Sequence, residues 1–306
     1  MQTKAIRIGT RGSPLALAQA EETASRLAQA NQLDRSAIAI VVIRTTGDRV
    51  TDRPLGEAGG KGLFAKEIED ALLAGTIDLG VHSAKDMPTL LPDGLVLAGY
   101  LPREDVRDAF ISPRGASLAD LPANAVLGTS SLRRKAMALR LRPDLQVVEF
   151  RGNVETRLRK LQEHIADATL LALAGLRRLG LADRATGILD EKTFVPAAGQ
   201  GAITLEIRAA DKRAAALVAS ISDPHTGIAV TAERAFLAAL DGSCRTPIGG
   251  YAVVKNGSID FHGLIITPDG TQAFEAMRQG GVGEGERLGR DAGEELKKRG
   301  GPRFFV

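Results

Sequence analysis

Through the first two-thirds of the chain, short apolar runs alternate with stretches in which apolar residues return every three or four positions, the pattern of parallel βαβ units. Residues 5–9 (AIRIG) read as a strand. A loop at Thr10–Ser13 follows, then a helix with Ser13 as N-cap and Pro14 in its first turn, where a missing N–H costs nothing. Residues 38–45 (IAIVVIRT) predict a second, fully apolar strand. Leu63, Phe64, Ile68, Leu72 and Leu73 keep helical spacing until Gly75 stops them, and TIDLGVHS predicts the next strand. The unit then repeats. AVLG at 125–128 leads through Thr129, Ser130 and Ser131 into a helix carrying Arg133 and Arg134; LQVVEF at 145–150 leads through Arg151, Gly152 and Asn153 into another basic helix.

After Ser220 the pattern changes. One helix (TGIAVTAERAFLAAL) precedes three strands split by Asn256-Gly257 and by Pro268-Asp269-Gly270, both hairpin turn signals, and a charged helix runs from about Gly283 to Arg299. These elements predict a smaller C-terminal α+β domain over 223–306, a three-stranded antiparallel sheet with helices. Upstream, LPREDVRD (101–108) reads as a crossover between two α/β lobes and FVPAAGQGAITLEIR (194–208) as the return. Lobe 1 then takes 1–101 with 201–220, and lobe 2 takes 107–195. A chain that crosses out and back predicts a hinge, and a cleft between lobes is a natural ligand site.

Composition narrows the function classes. With 306 residues, 44% hydrophobic and 25% charged, the chain is an ordinary globular one, and its longest apolar stretches, such as 168–176, fall short of the roughly 20 residues a membrane-spanning helix needs. The opening MQTKAIRIGTRGS runs straight into a strand pattern, so a cytoplasmic location is expected. One cysteine, Cys244, excludes an internal disulfide, and the four histidines lack metal-ligand spacing, so no metal is expected. The net charge is only +3, yet residues 128–160 hold seven Arg and two Lys against three acids, a local excess of +6. Without Trp and with two Tyr, the interleaved aromatics of single-stranded nucleic-acid binders are missing. A small polyanion is the better partner, and no nucleic acid is expected.

Three strand-to-helix loops combine hydroxyl and basic residues: Thr10-Arg11-Gly12-Ser13, Thr129 to Arg134, and Arg151-Gly152-Asn153. Each alone reads as an ordinary N-cap with solvated arginines. Three together favour anion binding by free helix N–H groups and guanidinium forks. Glycines 59, 60 and 62 around Lys61 suggest a phosphate loop, but the Walker spacing is absent. The segment from His82 to Pro88 packs Ser83, Lys85 and Asp86 just after a strand, where α/β ligand crevices form. An Asp ending a strand before a Met-Pro turn is the plainer alternative for Asp86, and His82 reads as a packed histidine. Cys244 is flanked by Gly, Ser, Arg and Pro, with Arg245 favouring the thiolate, and no histidine lies nearby. Covalent attachment fits it better than acyl transfer.

GTRGSPLALAQA, GGKGLFAKEIE, DLGVHSAKDMPT, GTSSLRRKA, RGNVETRL, AAGQGAI and GSCRTPIGG together resemble the motifs of the porphobilinogen deaminase (hydroxymethylbilane synthase) family, in family order from about Ile6 to Gly250. The resemblance implies an α/β fold of two periplasmic-binding-protein-like lobes with a hinge, plus the C-terminal domain. It implies a transferase of porphyrin biosynthesis that condenses four porphobilinogens head to tail, releasing ammonia, and frees hydroxymethylbilane with water. It implies a dipyrromethane cofactor joined by a thioether to Cys244, and a monomer.

Asp86 becomes the catalytic carboxylate, assisting protonation of the leaving amine, stabilising the azafulvene cation and helping to remove the pyrrole α-proton. Ser83, Lys85, Thr129, Ser131, Arg133, Arg134, Arg157, Lys61 and Gln200 are implied to hold the cofactor; Arg11, Ser13, Arg151 and Arg178 to hold substrate; and Phe64 to stack on a ring. Glu57 departs from a lysine found in some relatives. Two other classes compete with this reading. A two-lobed anion-binding protein explains the loops but leaves Cys244 without a purpose. A basic nucleic-acid binder explains the arginines and predicts steeply salt-dependent affinity.

Overall fold

The computed structural model describes residues 5–49, 62, 64–242, 246–302, 304 and 305. The chain divides into two compact units, Met1–Arg103 with Ala202–Gly227 and Glu104–Gly201 with Ile228–Val306. In chain order the first unit contributes β1 (Ile6–Thr10), α1 (Pro14–Ala30), β2 (Ile38–Val42), the single turn α2 (Thr46–Arg49), α3 (Lys66–Leu73), β3 (Leu79–Ser83) and β4 (Leu95–Tyr100). The second begins with β5 (Asp108–Ile111), β6 (Val126–Gly128), α4 (Leu132–Leu141), β7 (Gln146–Val148), α5 (Val154–Gln162), β8 (Ala168–Ala172), α6 (Leu173–Arg178) and β9 (Gly187–Ile188). β10 (Ile203–Arg208) and α7 (Lys212–Ala219) return to the first unit. α8 (Pro224–Ala239) leads to β11 (Ile248–Lys255), β12 (Ser258–Ile266), β13 (Ala273–Gly281) and α9 (Gly285–Gly300).

The first sheet runs in the order β2-β1-β3-β10-β4, with β1 parallel to β2 and β3, and with β10 antiparallel to both of its neighbours. Its core joins Ile8, Leu79, Val81, Leu205 and Ile207 to Ala20, Ala24 and Leu27 of α1 and Val218 of α7. The small alanines at helical spacing form the buried face that seats α1 on the sheet. β2 is fully apolar but is not fully buried. It pairs only with β1 at the sheet edge, and Val42 remains 52% exposed, so apolarity there reports strand preference rather than position in the sheet. No helix among the described residues is long and apolar enough to cross a membrane.

The second sheet repeats the layout as β7-β6-β8-β5-β9, with β6 parallel to β7 and β8, and with β5 antiparallel to β8 and β9. The C-terminal strands form the antiparallel meander β11-β12-β13. Asn256 and Gly257 take φ values of 51° and 76°, the left-handed pair of a two-residue hairpin turn, between the paired Lys255 and Ser258. Phe236, Phe261, Leu288 and Leu296 form the core of this sheet with its helices, while Leu264 and Ile266 of β12 join the core built by Phe110, Leu127 and Met137.

Candidate active site

In the first unit, β1 and β3 lie side by side and in parallel, so the loops leaving their C-terminal ends meet. After β1, Ser13 caps α1, its Oγ accepting from the Ala16 N–H at 3.3 Å. Arg11, in the same loop, places its guanidinium carbon 4.1 Å from the centre of the Phe64 ring, a cation–π contact. After β3 the chain makes one 3-10 turn, Ala84–Asp86, fixed by the Ala84 N–H donating to the Ala202 carbonyl at 3.0 Å. Between these loops opens a pocket lined by Arg11, Ser13, Gln19, Phe64, His82, Ser83 and Asp86.

The pocket's polar groups differ in how firmly they are held. Gln19, buried on α1, donates from Nε2 to Ser83 Oγ at 2.9 Å and fixes that hydroxyl. The carboxylate of Asp86 is exposed and has no hydrogen bond or ion pair among the described residues. It is therefore free to face a cation. Lys85 is half-buried in the same turn. His82 donates or accepts through Nε2 with Glu206 Oε2 of the neighbouring β10 at 3.0 Å. Gln19 and Glu206 escape a reading of the motifs because each partner lies far along the chain; an acid inside the apolar strand ITLEIR is the only sequence signal for Glu206.

Near this pair, Glu69 of α3 is buried and its carboxyl is pushed up to about 7, first by burial and then by the charges of Glu206, Asp70 and Glu67. A carboxyl raised in the folded state keeps a proton that the unfolded chain has lost, so stability falls as pH rises from the ordinary glutamate value through about 7. Glu69→Gln should therefore be more stable than the parent at pH 8, by on the order of 1–3 kcal/mol, with the gain vanishing near pH 4. Urea unfolding at the two pH values checks this. An equal change at both would mean that Glu69 keeps its ordinary titration.

In the second unit, Ser131 caps α4, accepting from the Arg134 N–H at 3.3 Å, and Thr129 Oγ1 accepts from the Ser131 N–H at 3.2 Å. Arg133 and Arg134 do not project into solvent from this helix start. They are 4% and 6% exposed and clasp Asp108, the first residue of β5, each with an N–O distance of 2.6 Å. Gln200 Nε2 donates to the same carboxylate at 3.0 Å. Arg133 also reaches the Val195 carbonyl at 2.8 Å and Arg134 the Leu170 carbonyl at 3.0 Å. Two guanidiniums against one carboxylate leave one positive charge over, and Arg133 Nε is buried with no acceptor.

The loop that carries Arg151 reaches the start of α4, where the Phe150 N–H donates to Ser130 Oγ at 3.2 Å. At the start of α5, which Asn153 caps, Arg151 pairs with Glu149 at 2.5 Å and Arg157 donates to the Gly152 carbonyl at 2.9 Å. Arg178, at the end of α6, donates to the Gly201 carbonyl at 3.1 Å. Cys244, Lys61 and Glu57 lie outside the described residues.

The family model described as porphobilinogen deaminase, dipyromethane cofactor binding domain, matches residues 6–216, and that of the porphobilinogen deaminase C-terminal domain matches residues 228–298. The chain belongs to the porphobilinogen deaminase family. It is similar to the porphobilinogen deaminase of Nitrobacter winogradskyi, with 62% identity over 98% of this chain and 95% of that one. The porphobilinogen deaminase of Paracoccus denitrificans is 56% identical over 98% of this chain and 96% of that one. Among solved structures, the methionine-binding protein MetQ aligns at a TM-score of 0.46 with 15% identity, over 71% of this chain and 90% of that one.

Membership makes this deaminase a transferase of tetrapyrrole biosynthesis with a dipyrromethane cofactor. The donor set fits such a group, whose rings carry carboxylates. The positive charge that Arg133 and Arg134 carry beyond Asp108, and the buried Arg133 Nε without an acceptor among the described residues, are compatible with such an acid-bearing group.

Proposed function

We propose that Asp86 is the catalytic carboxylate with which this chain condenses porphobilinogen onto a dipyrromethane primer held through Cys244. The observation that carries the reading is the exposed, unpartnered carboxylate of Asp86 in a pocket that also presents a guanidinium, a hydroxyl and an aromatic ring. A negative group without a fixed partner can meet positive charge as it develops, which a carboxylate already tied to an arginine cannot. In this reading Asp86 faces the amine as ammonia leaves and the azafulvene cation that remains of the substrate. Arg11 and Ser13 orient substrate carboxylates, and Phe64 supplies an apolar face for a pyrrole ring.

Ser83, Lys85, Thr129, Ser131, Arg133, Arg134, Arg157 and Gln200 are assigned to the cofactor, with Lys61; Arg151 and Arg178 are assigned to the growing chain. When bound, the cofactor supplies the free pyrrole carbon from which elongation starts. Cys244 keeps it attached when product leaves. We assign the protein to the cytoplasm as a monomer that binds neither nucleic acid nor membrane.

Native mass spectrometry tests the covalent and oligomeric parts together. The expected result is a single chain, free of nucleic acid and heavier than its sequence by one dipyrromethane; Cys244→Ser should show the bare mass. An unmodified and fully active chain would remove the covalent cofactor from the reading, and a dimer would remove the monomer.

A further inference from the structure

His82 occupies the fourth position of β3, and Glu206 lies on the adjacent β10 opposite Gly80. A Cβ at residue 80 would stand 2.9 Å from His82 Nε2, so glycine there opens the space in which the imidazole leans back to Glu206 Oε2 at 3.0 Å. The pair is buried, His82 at 6% exposure and Glu206 at none. The other carboxylate oxygen of Glu206 has no hydrogen-bond partner, and neither has Oε1 of Glu69 on α3. His82 is also among the residues that line the Asp86 pocket, and its Nδ1 has no hydrogen-bond partner among the described residues. The charged and titratable groups around it are Glu206 from β10, Glu69 with Glu67 and Asp70 from α3, Asp86 from its own turn and Arg11 from the loop after β1.

We propose that His82 is the proton acceptor of carbon–carbon coupling, held by Glu206 in the tautomer that turns a bare Nδ1 toward the pocket. The proposal rests on the reading of this pocket as the catalytic site. A carboxylate that accepts from Nε2–H leaves the lone pair on Nδ1, the logic by which a buried acid orients a catalytic imidazole. Coupling at a pyrrole α-carbon ends with that carbon's C–H bond breaking. Its electron pair returns to the aromatic ring, and the proton goes to Nδ1. Glu206 balances the imidazolium, which then gives its proton to water. Each round thus releases one ammonia and one proton, with no oxidation or reduction. A separate acceptor also lets Asp86 stay ionised opposite the cation it stabilises, which it could not do while carrying the proton itself.

The first test needs no turnover. Long-range proton–nitrogen NMR of the holoprotein, with the His82 signals assigned by their loss in His82→Gln, should show the Nε2–H tautomer, and Glu206→Gln should abolish that preference. An Nδ1–H tautomer in the parent protein overturns the proposal whether or not the variants fold. The second test uses His82→Gln with its cofactor loading confirmed by mass. In a single turnover, ammonia release should stay within a few-fold of the parent while coupled product forms about a hundredfold more slowly, and the pH–rate profile of coupling should change. Porphobilinogen deuterated at the free α-carbon should show a larger isotope effect than in the parent. Coupling within threefold of the parent, with an unchanged pH profile, would sink the role of His82. Failure of the pocket reading looks different, because it appears as undiminished ammonia release in Asp86→Asn.

Discussion

Asp86→Asn should still bind porphobilinogen and should slow single-turnover ammonia release by at least about a hundredfold. The amide keeps the size and much of the hydrogen-bonding capacity of the carboxylate, so the pocket walls formed by Arg11, Phe64 and Ser83 need not move. What it removes, in the proposed reading, is one negative charge facing the carbon that becomes cationic as ammonia leaves. Among the described residues Asp86 makes no hydrogen bond or ion pair that the substitution would break, so a loss of rate is not traced to a collapsed local structure. Asp86→Glu keeps the charge but displaces it by one methylene and should fall between the two. The measurement uses chains whose cofactor loading is confirmed by mass. Release within a few-fold of the parent would return Asp86 to the role of a turn residue.

Asp108→Asn should cost about 3–5 kcal/mol of folding stability, because it leaves two buried guanidiniums facing each other without their shared counter-charge. Burial alone would raise the Asp108 carboxyl, but the charges and hydrogen bonds of Arg133 and Arg134 overcome it and hold the group well below the usual carboxylate range. A depressed carboxyl stabilises the fold above its unfolded value of about 3.9, and that contribution is lost only as pH falls through the lower, folded value. The parent should thus keep this contribution at pH 4, and the difference from Asp108→Asn should shrink only in stronger acid. Denaturant titrations between pH 7 and pH 3 read both effects. A loss below 1 kcal/mol at neutral pH would mean that the two arginines find water or other acceptors and that the cluster is not closed.

The alternation of strands and helices, the N-cap at Ser13, the hairpin at Asn256-Gly257 and the loops at the ends of β1 and β3 were all legible in the residues, because each depends on neighbours within a few positions. Charge was less so. The excess of +6 over residues 128–160 counts Arg133 and Arg134 as free, yet their counter-ion is Asp108, well upstream of that window. Local counting overstates the anion-binding charge wherever a sheet brings in a distant acid. His82 shows the same limit from the other side. It reads as a packed histidine because its carboxylate stands 124 residues away, and only the antiparallel pairing of β10 with β3 brings the two together.

That pairing also sets an order of events at the ribosome. β10 fills the place between β3 and β4, yet it is synthesised about 120 residues after β3 ends. At about 5–20 residues per second, the nascent chain spends roughly 6–24 s with β3 lacking that neighbour, and roughly 5–20 s with β4 lacking it as well. During that interval two apolar strand edges stand open to other chains, the geometry that invites intermolecular pairing. His82 meanwhile waits for the carboxylate that will hold it, so the pocket cannot take its final form until the last strand of its sheet has been inserted.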